Sequence, residues 1–134
     1  MSESKQIHIA AAVITDQAGR VLLVRKRNTL WFMQPGGKIE PGERPEVALA
    51  RELKEELNAS FTPDEMVPLG RFTDIAANEP GHMLFADMFK ISTEETHFLP
   101  AAEIEEVIWF EPSSNQALQL APLTKNHILS LLDR

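Results

Sequence analysis

Residues 43–58 constrain the fold most, because they read as one amphipathic helix with marked ends. Its leucines recur at four-residue spacing and form one apolar stripe: Leu49, Leu53 and Leu57. Pro45 suits the first helical turn, where a missing N–H is tolerated. Asn58 suits the left-handed conformation that often ends a helix. We therefore predict a helix that begins after Gly42, ends near Asn58 and buries its leucines.

A second face of this helix carries carboxylates. At about 100° per residue, Glu52, Glu55 and Glu56 share one face, roughly a quarter-turn from the leucines. Carboxylates gathered in this way repel one another unless a cation lies between them. Mg²⁺ or Mn²⁺ prefers such oxygen ligands, and more than one ion can bridge a diphosphate and activate a water. The alternative is an ordinary solvated acidic face.

Two neighbouring features favour the metal site over the solvated face. Arg51 precedes the first of these glutamates and can orient a neighbouring carboxylate through a charge-assisted hydrogen bond. Gly36 and Gly37 are interpreted as a turn in which the backbone approaches a ligand closely or adopts a positive φ. A hard-metal site beside a glycine turn indicates phosphate chemistry.

The remaining pattern predicts an α/β fold with a mixed sheet between helices, in a single domain over residues 1–134. Ile7–Thr15 and Val21–Val24 are predicted to form a hairpin, and three more strands are expected at Met66–Ile75, His82–Ser92 and Val107–Phe110. Ser113 or Ser114 is expected to cap a short helix that runs through Leu120. Pro122 is expected to open a last helix, with these side chains inward: Leu123, Ile128, Leu129 and Leu132.

The composition of the chain excludes several classes of function. The net charge of −7 disfavours a nucleic-acid polymer as partner, and an anionic substrate would need divalent cations beside the acidic helix. The chain has no cysteine, so a disulfide framework and a thiol nucleophile are excluded. The first apolar run is too short for a membrane span and poorly flanked for a signal peptide. We expect a cytoplasmic protein that does not bind membranes.

The residues of this region resemble a known family. Gly37, then Glu43, then Arg51-Glu52-Leu53 with Glu55 and Glu56, is similar to the Nudix box of MutT-like hydrolases. The phrase that begins at Pro35 and ends at Glu40 resembles the opening of that box. The box usually has glycine where this chain has Asn58, and a larger aliphatic residue where it has Ala59. Neither departure touches a proposed ligand, and asparagine tolerates the left-handed conformation.

The resemblance implies an α/β/α sandwich that hydrolyses a diphosphate linkage in a nucleotide or nucleoside diphosphate derivative, with Mg²⁺ or Mn²⁺. It assigns metal ligation to Glu52, Glu55 and Glu56, with the Gly36 carbonyl as a further ligand. Arg51 and Glu43 are the pair that supports these ligands. Gly37 and Lys38 are candidates for substrate binding. Family members often add a carboxylate from a later loop as ligand or base. Glu103 is the first choice here, ahead of its rivals: Glu105, Glu106, Glu79 and Glu94.

Three side chains before the box are candidates for contacts with the substrate. Arg25 and Arg27 can bind or steer a phosphate, although a basic strand end is usually just solvated. Trp31 can stack on a base, although it can equally belong to the core.

The substrate is left open among dNTPs, oxidised dNTPs, ADP-ribose, dinucleoside polyphosphates and nucleotide sugars, and a monomer or a homodimer fits the sequence. The alternative function is a catalytically silent Nudix-fold module that binds a nucleotide or a protein. A purely structural or metal-buffering acidic helix would leave Arg51 and the glycine pair unexplained.

Overall fold

The structure is a computed structural model that describes residues 5–77, 79–113 and 118–128. Its strands are β1 (Lys5–Thr15), β2 (Val21–Lys26), β3 (Phe32–Met33), β4 (Gly36–Lys38), β5 (Val67–Ile75), β6 (His82–Ser92) and β7 (Ile104–Phe110). The helix α1 covers Pro45–Leu57, a 3₁₀ turn covers Pro63–Glu65, and a π-helical turn covers Thr124–Ile128. The predicted strands and central helix are therefore present, with ends shifted by a few residues at most.

The described strands form one mixed sheet in the order β3-β2-β1-β6-β5, with β4 added to β1 and β7 added to β2. β1 and β6 are parallel along their whole length, from Lys5 opposite His82 to Thr15 opposite Ser92. The other pairings between named strands are antiparallel. The mixed α/β class is thus confirmed.

Strand β1 divides the core into two layers because its successive side chains point to opposite faces of the sheet. Ala10, Ala12 and Ile14 face the leucine stripe of α1, whose three leucines are almost completely buried. Ala11 and Val13 face the other side, where Leu123 and Ile128 pack. Helical segments therefore cover both faces, as in an α/β/α sandwich. Each buried leucine contributes about 2 kcal/mol relative to an exposed one.

The two ends of α1 follow the sequence pattern. Pro45 occupies the first turn, and Asn58 ends the helix in the left-handed conformation with φ of 57°. The Asn58 N–H donates to the Lys54 carbonyl at 3.1 Å, and the Ala59 N–H donates to the Leu53 carbonyl at 3.3 Å. Asparagine at this position therefore closes the helix, as expected.

The glycine pair is not a turn, which corrects one expectation. Gly36 and Gly37 lie in the short strand β4 and pair with Ala11 and Ala10 of β1. β1 and β2 meet only near their connecting turn, where Thr15 lies opposite Val21, and then diverge. The diverging strands β1 and β2 leave a gap that we call the fork. β3 pairs with β2 and β4 pairs with β1, so the chain that connects β3 to β4 crosses this fork. Gly36 permits this close strand packing, because a Cβ there would overlap Ala10 and Ala11 of β1.

The C-terminal expectations are partly corrected and partly outside the described residues. The predicted helix through Leu120 does not continue to that residue, because Leu120 forms a parallel bridge with Phe32. The Phe32 N–H donates to the Gln119 carbonyl at 2.7 Å, which holds this segment extended. Leu123 and Ile128 are buried as expected. Asn78, Ser114, Leu129 and Leu132 lie outside the described residues. Within the described residues, no helix has the length and apolar character needed to cross a membrane.

Candidate active site

Glu56 is the most unusual carboxylate of the site. It lies in the last turn of α1, only 5% of the residue is exposed, and its Oε1 accepts a hydrogen bond from the Gly36 N–H at 3.3 Å. Burial, together with the charges of Glu52 and Glu103, raises the pKa of Glu56 to about 7, although the Gly36 N–H and Lys26 act in the opposite direction. A carboxylate in this setting favours a compensating positive charge.

Glu52 lies beside Glu56, one turn earlier on the same helix face. Burial raises the pKa of Glu52, and the hydrogen bond from Arg51 acts in the opposite direction. Its carboxyl group packs against the backbone of Gly37, where any Cβ would overlap the Glu52 carboxyl carbon and Oε1. Gly37 therefore makes room for this carboxylate.

Arg51 connects three of the proposed acidic residues. Its Nε and Nη2 donate to the two carboxylate oxygens of Glu43, both at 3.0 Å, and its Nη1 donates to Glu52 Oε2 at 2.8 Å. Nη1 also lies 3.6 Å from Glu55 Oε1, and Nη2 donates to the Lys38 carbonyl at 3.1 Å. The contact with Arg51 holds the pKa of Glu43 below its usual range. The expected contact between Arg51 and neighbouring carboxylates is therefore present.

The three glutamates of the helix face have unequal environments. Glu56 is buried, Glu52 is half-buried, and the Glu55 side chain is 54% exposed. Within the described ranges, no three acidic, histidine or cysteine side chains form a ready-made metal cluster. Their donor chemistry nevertheless fits Mg²⁺ or Mn²⁺, because they offer carboxylate oxygens and one of them is a buried acid that a cation would neutralise.

Glu103 is the loop acid whose charge reaches this site. It precedes β7, and its carbonyl accepts a hydrogen bond from the Arg27 N–H at 2.9 Å, which ties the loop to the end of β2. Its charge is one of those that raise the pKa of Glu56. Among its rivals, Glu106 binds Arg25 and Glu94 accepts from Gln17, whereas Glu105 is exposed. Glu79 lines the cavity described next, 3.9 Å from Lys38 Nζ.

A cavity opens at the fork between β1 and β2 and reaches Glu56. The space in it that water-sized molecules can occupy is about 120 Å³, and its mouth is open to solvent. Gly36, Gly37 and Lys38 line its polar end. Apolar side chains form most of the rest: Ile7, Ile9, Met33, Ile75, Leu84 and Leu123. One end thus meets the carboxylates and the other can hold an apolar or planar group.

One of the two lysines that line this cavity was not among the predicted substrate-binding residues. Lys26 lines the cavity together with Lys38, and its charge opposes the rise in the pKa of Glu52 and Glu56. Arg25 instead binds Glu106 at 3.0 Å and the Thr29 carbonyl at 2.9 Å, and Arg27 is exposed. Trp31 is half-buried next to β3, whereas Met33 belongs to the cavity wall. Lys26 and Val24 alternate with Arg25 along β2, and both line the cavity.

The fold and the arrangement of Arg51 with its carboxylates define an α/β sandwich with an acidic helix, and comparison with known proteins identifies its family. The model of the NUDIX domain matches residues 5–131. The chain belongs to the Nudix family.

Curated relatives match about half of the chain. The chain is 40% identical over 67 residues to an "8-oxo-dGTP diphosphatase" from Proteus vulgaris, covering 46% of this chain and 59% of that protein. It is 40% identical over 68 residues to a "CTP pyrophosphohydrolase" from Escherichia coli strain K12, covering 47% and 49%. The matched regions span about half the length of these curated relatives.

A solved structure extends the likeness of fold over the whole chain. The MutT protein from Methanosarcina mazei Go1 superposes with a TM-score of 0.80 and 20% identity, covering 100% of this chain and 97% of that one. Identity at this level concerns the fold alone. The α/β/α sandwich that the resemblance implied is thereby confirmed.

The raised pKa of Glu56 gives a prediction for the metal-free protein. Folded Glu56 keeps its proton to about pH 7, whereas an unfolded glutamate titrates near 4.5. This group therefore stabilises the fold fully below pH 4.5, and its contribution is lost as pH rises through 7. The loss should not exceed about 3.5 kcal/mol, at roughly 1.4 kcal/mol per pH unit.

Urea unfolding in EDTA at several pH values between 5 and 7.5 measures this contribution. The difference between the wild type and Glu56→Gln isolates it, because other titrating groups contribute to both proteins. We expect the variant to gain stability relative to the wild type as pH rises. A difference that is constant with pH would contradict the burial of this carboxyl group.

Proposed function

We propose that this protein hydrolyses a diphosphate linkage in a nucleotide, with Mg²⁺ or Mn²⁺. The observation that carries the proposal is the buried carboxylate of Glu56, which lies beside Glu52 where the acidic helix meets the open cavity. An uncompensated buried acid is costly for folding alone. The same buried acid can serve as a ligand if a cation and a phosphate bind at the site.

The residues have separate roles in this proposal. Glu52, Glu55 and Glu56 hold the cation with the Gly36 carbonyl, and the cation supplies charge neutralisation at the phosphate oxygens and lowers the pKa of a water. Arg51 keeps Glu52 and Glu55 oriented and is itself held by Glu43. Lys26 and Lys38 bind phosphate oxygens at the polar end of the cavity. Arg25 and Arg27 remain candidates for the same task, and Trp31 for stacking on the base.

The proposed substrate is a nucleoside triphosphate, cleaved to a nucleoside monophosphate and pyrophosphate. The printed names of the curated relatives, an 8-oxo-dGTP diphosphatase and a CTP pyrophosphohydrolase, support this class. A single domain in the cytoplasm, where such nucleotides occur, belongs to the same proposal. The partner is the small-molecule nucleotide, and whether the enzyme works as a monomer or a homodimer is measured by light scattering.

A hydrolysis screen tests the proposal. The purified chain is incubated with Mg²⁺, Mn²⁺ or EDTA and with dNTPs, CTP, 8-oxo-dGTP, ADP-ribose, a dinucleoside polyphosphate and a nucleotide sugar. We expect a triphosphate to give pyrophosphate only with the metal. Turnover of ADP-ribose or a nucleotide sugar alone would overturn the triphosphate assignment, and no metal-dependent turnover would favour a silent binding module.

Glu103 is proposed as the general base, whose carboxylate accepts a proton from the attacking water. Glu103→Gln should slow turnover by about a hundredfold, which is typical for loss of a general base, with little change in folding because the side chain is exposed. Glu79→Gln is the matched control, since Glu79 also lies near the cavity but contacts Lys38. A pH–rate profile should lose its acidic limb only in the Glu103 variant. The reverse result would assign the base to Glu79.

A further inference from the structure

Gln34 lies in the cavity wall between β3 and β4 and has an unusual hydrogen-bonding state. Only 6% of the residue is exposed, and its Oε1 accepts a hydrogen bond from Thr124 Oγ1 at 2.7 Å. Thr124 is 1% exposed and also lines the cavity. The Gln34 Nε2 group is buried and has no hydrogen-bond partner within the described part of the chain. A buried N–H donor without an acceptor costs folding free energy unless a ligand supplies the acceptor.

The contact with Thr124 fixes what Gln34 can offer to a ligand. A free carboxamide can pair with adenine through one donor and one acceptor. Here the oxygen already accepts from a buried hydroxyl, so what this cavity-lining side chain has left for a ligand is its buried Nε2 donor. Donors of this kind suit a ring carbonyl, such as O6 of guanine or O2 of cytosine. The apolar wall around them suits the planar ring.

We propose that Gln34 is a specificity-determining residue that selects nucleobases carrying a ring carbonyl over adenine, with Thr124 as the positioning residue that holds its amide. The inference rests on the proposed function, since it assigns the cavity to the base of the nucleotide. Met33 is the chain neighbour of Gln34 and also lines the cavity, and its unbranched side chain can adapt to a ligand there.

Nucleosides provide a test that is independent of hydrolysis, because they carry no phosphate and need no cation. Binding of deoxyguanosine, deoxycytidine, deoxyadenosine and 2-aminopurine deoxyriboside, which lacks the O6 of guanine, is measured by NMR titration in EDTA. We expect deoxyguanosine and deoxycytidine to bind about tenfold more tightly than the other two, as for one hydrogen bond to a buried donor. Equal affinities in the wild type would overturn the inference.

Two variants separate recognition from packing. Gln34→Met keeps the length of the side chain and should remove the preference by weakening deoxyguanosine about tenfold, with deoxyadenosine within twofold. Thr124→Val keeps the shape of the hydroxyl side chain but frees the amide to rotate, and should strengthen deoxyadenosine relative to deoxyguanosine. Equal loss for all nucleosides in both variants would mean that Gln34 is only structural and would overturn the inference.

The two proposals fail in distinguishable ways. Selective nucleoside binding without turnover of any nucleotide would refute hydrolysis and leave the role of Gln34 standing. Metal-dependent turnover with no base preference, unchanged in Gln34→Met, would support hydrolysis and refute the role of Gln34.

Discussion

Glu56→Gln should lower metal-dependent hydrolysis about a thousandfold, near the upper end of what one electrostatic group in an active site contributes. Glutamine keeps an oxygen that can accept the Gly36 N–H, and it has nearly the same shape as glutamate. The fold should therefore persist, and the metal-free variant should be more stable than the wild type above pH 7. Initial rates of pyrophosphate release and far-UV circular dichroism measure the two effects.

Glu46→Gln is the matched control for this variant. Glu46 lies in the first turn of the same helix and interacts with Arg44, away from the cavity. The chemical change is identical, so the control should keep wild-type rates. Wild-type turnover by Glu56→Gln would refute the assignment of this glutamate as a ligand, whatever the result for the control.

Gly37→Ala should separate activity from folding. An added Cβ would overlap the end of the flexible Glu52 side chain, which can move aside at little cost to stability. Glu52 would then leave its position beside Glu56 and Arg51. We expect turnover to fall at least tenfold, as for other losses of ligand positioning, with a change in unfolding free energy below about 1 kcal/mol.

Gly36→Ala, in contrast to Gly37→Ala, should strongly destabilise the fold. Gly36 has φ of 153°, and a Cβ there would overlap the Ala10 carbonyl oxygen and the backbone of Ala11. Backbone cannot move aside without breaking the pairing of β4 with β1. We expect a loss of at least about 3 kcal/mol in urea unfolding, which is large for one substitution.

Gly19→Ala is the control for the backbone conformation. Gly19 has φ of 82° in the turn after β1, with nothing within 4 Å of an added Cβ. Its substitution should cost about 1 kcal/mol from the left-handed backbone alone. If Gly36→Ala cost no more than this control, the close approach of β4 to β1 would be refuted.

The sequence predicted best what depends on neighbours along the chain. The leucine stripe, Pro45 and Asn58 act within a few residues of one another, so α1 was located to within a few residues. The contact of Arg51 with its carboxylates also follows, because Glu52 and Glu55 are on the same helix and Glu43 lies close before it.

The features that the sequence missed depend on distant contacts. β3 and β4 contain two and three residues, too few for any periodicity, and they form because β1 and β2 diverge. The hydrogen bond between Gln34 and Thr124 joins positions 90 residues apart. No rule of sequence spacing connects such distant residues. The sequence therefore predicted a turn at Gly36 and Gly37, and it did not single out Gln34.

The parallel pairing of β1 with β6 also has a consequence for how the protein folds. The β5–β6 hairpin and α1 involve residues close in sequence and can form early, whereas pairing β1 with β6 requires closure of the long loop of residues 16–81. β1 is also the partner of β4, which carries Gly36 and Gly37. The cavity is lined by residues of both β1 and β6, so it forms only after this long-range closure, and refolding followed by ligand binding should lag behind refolding followed by helix content.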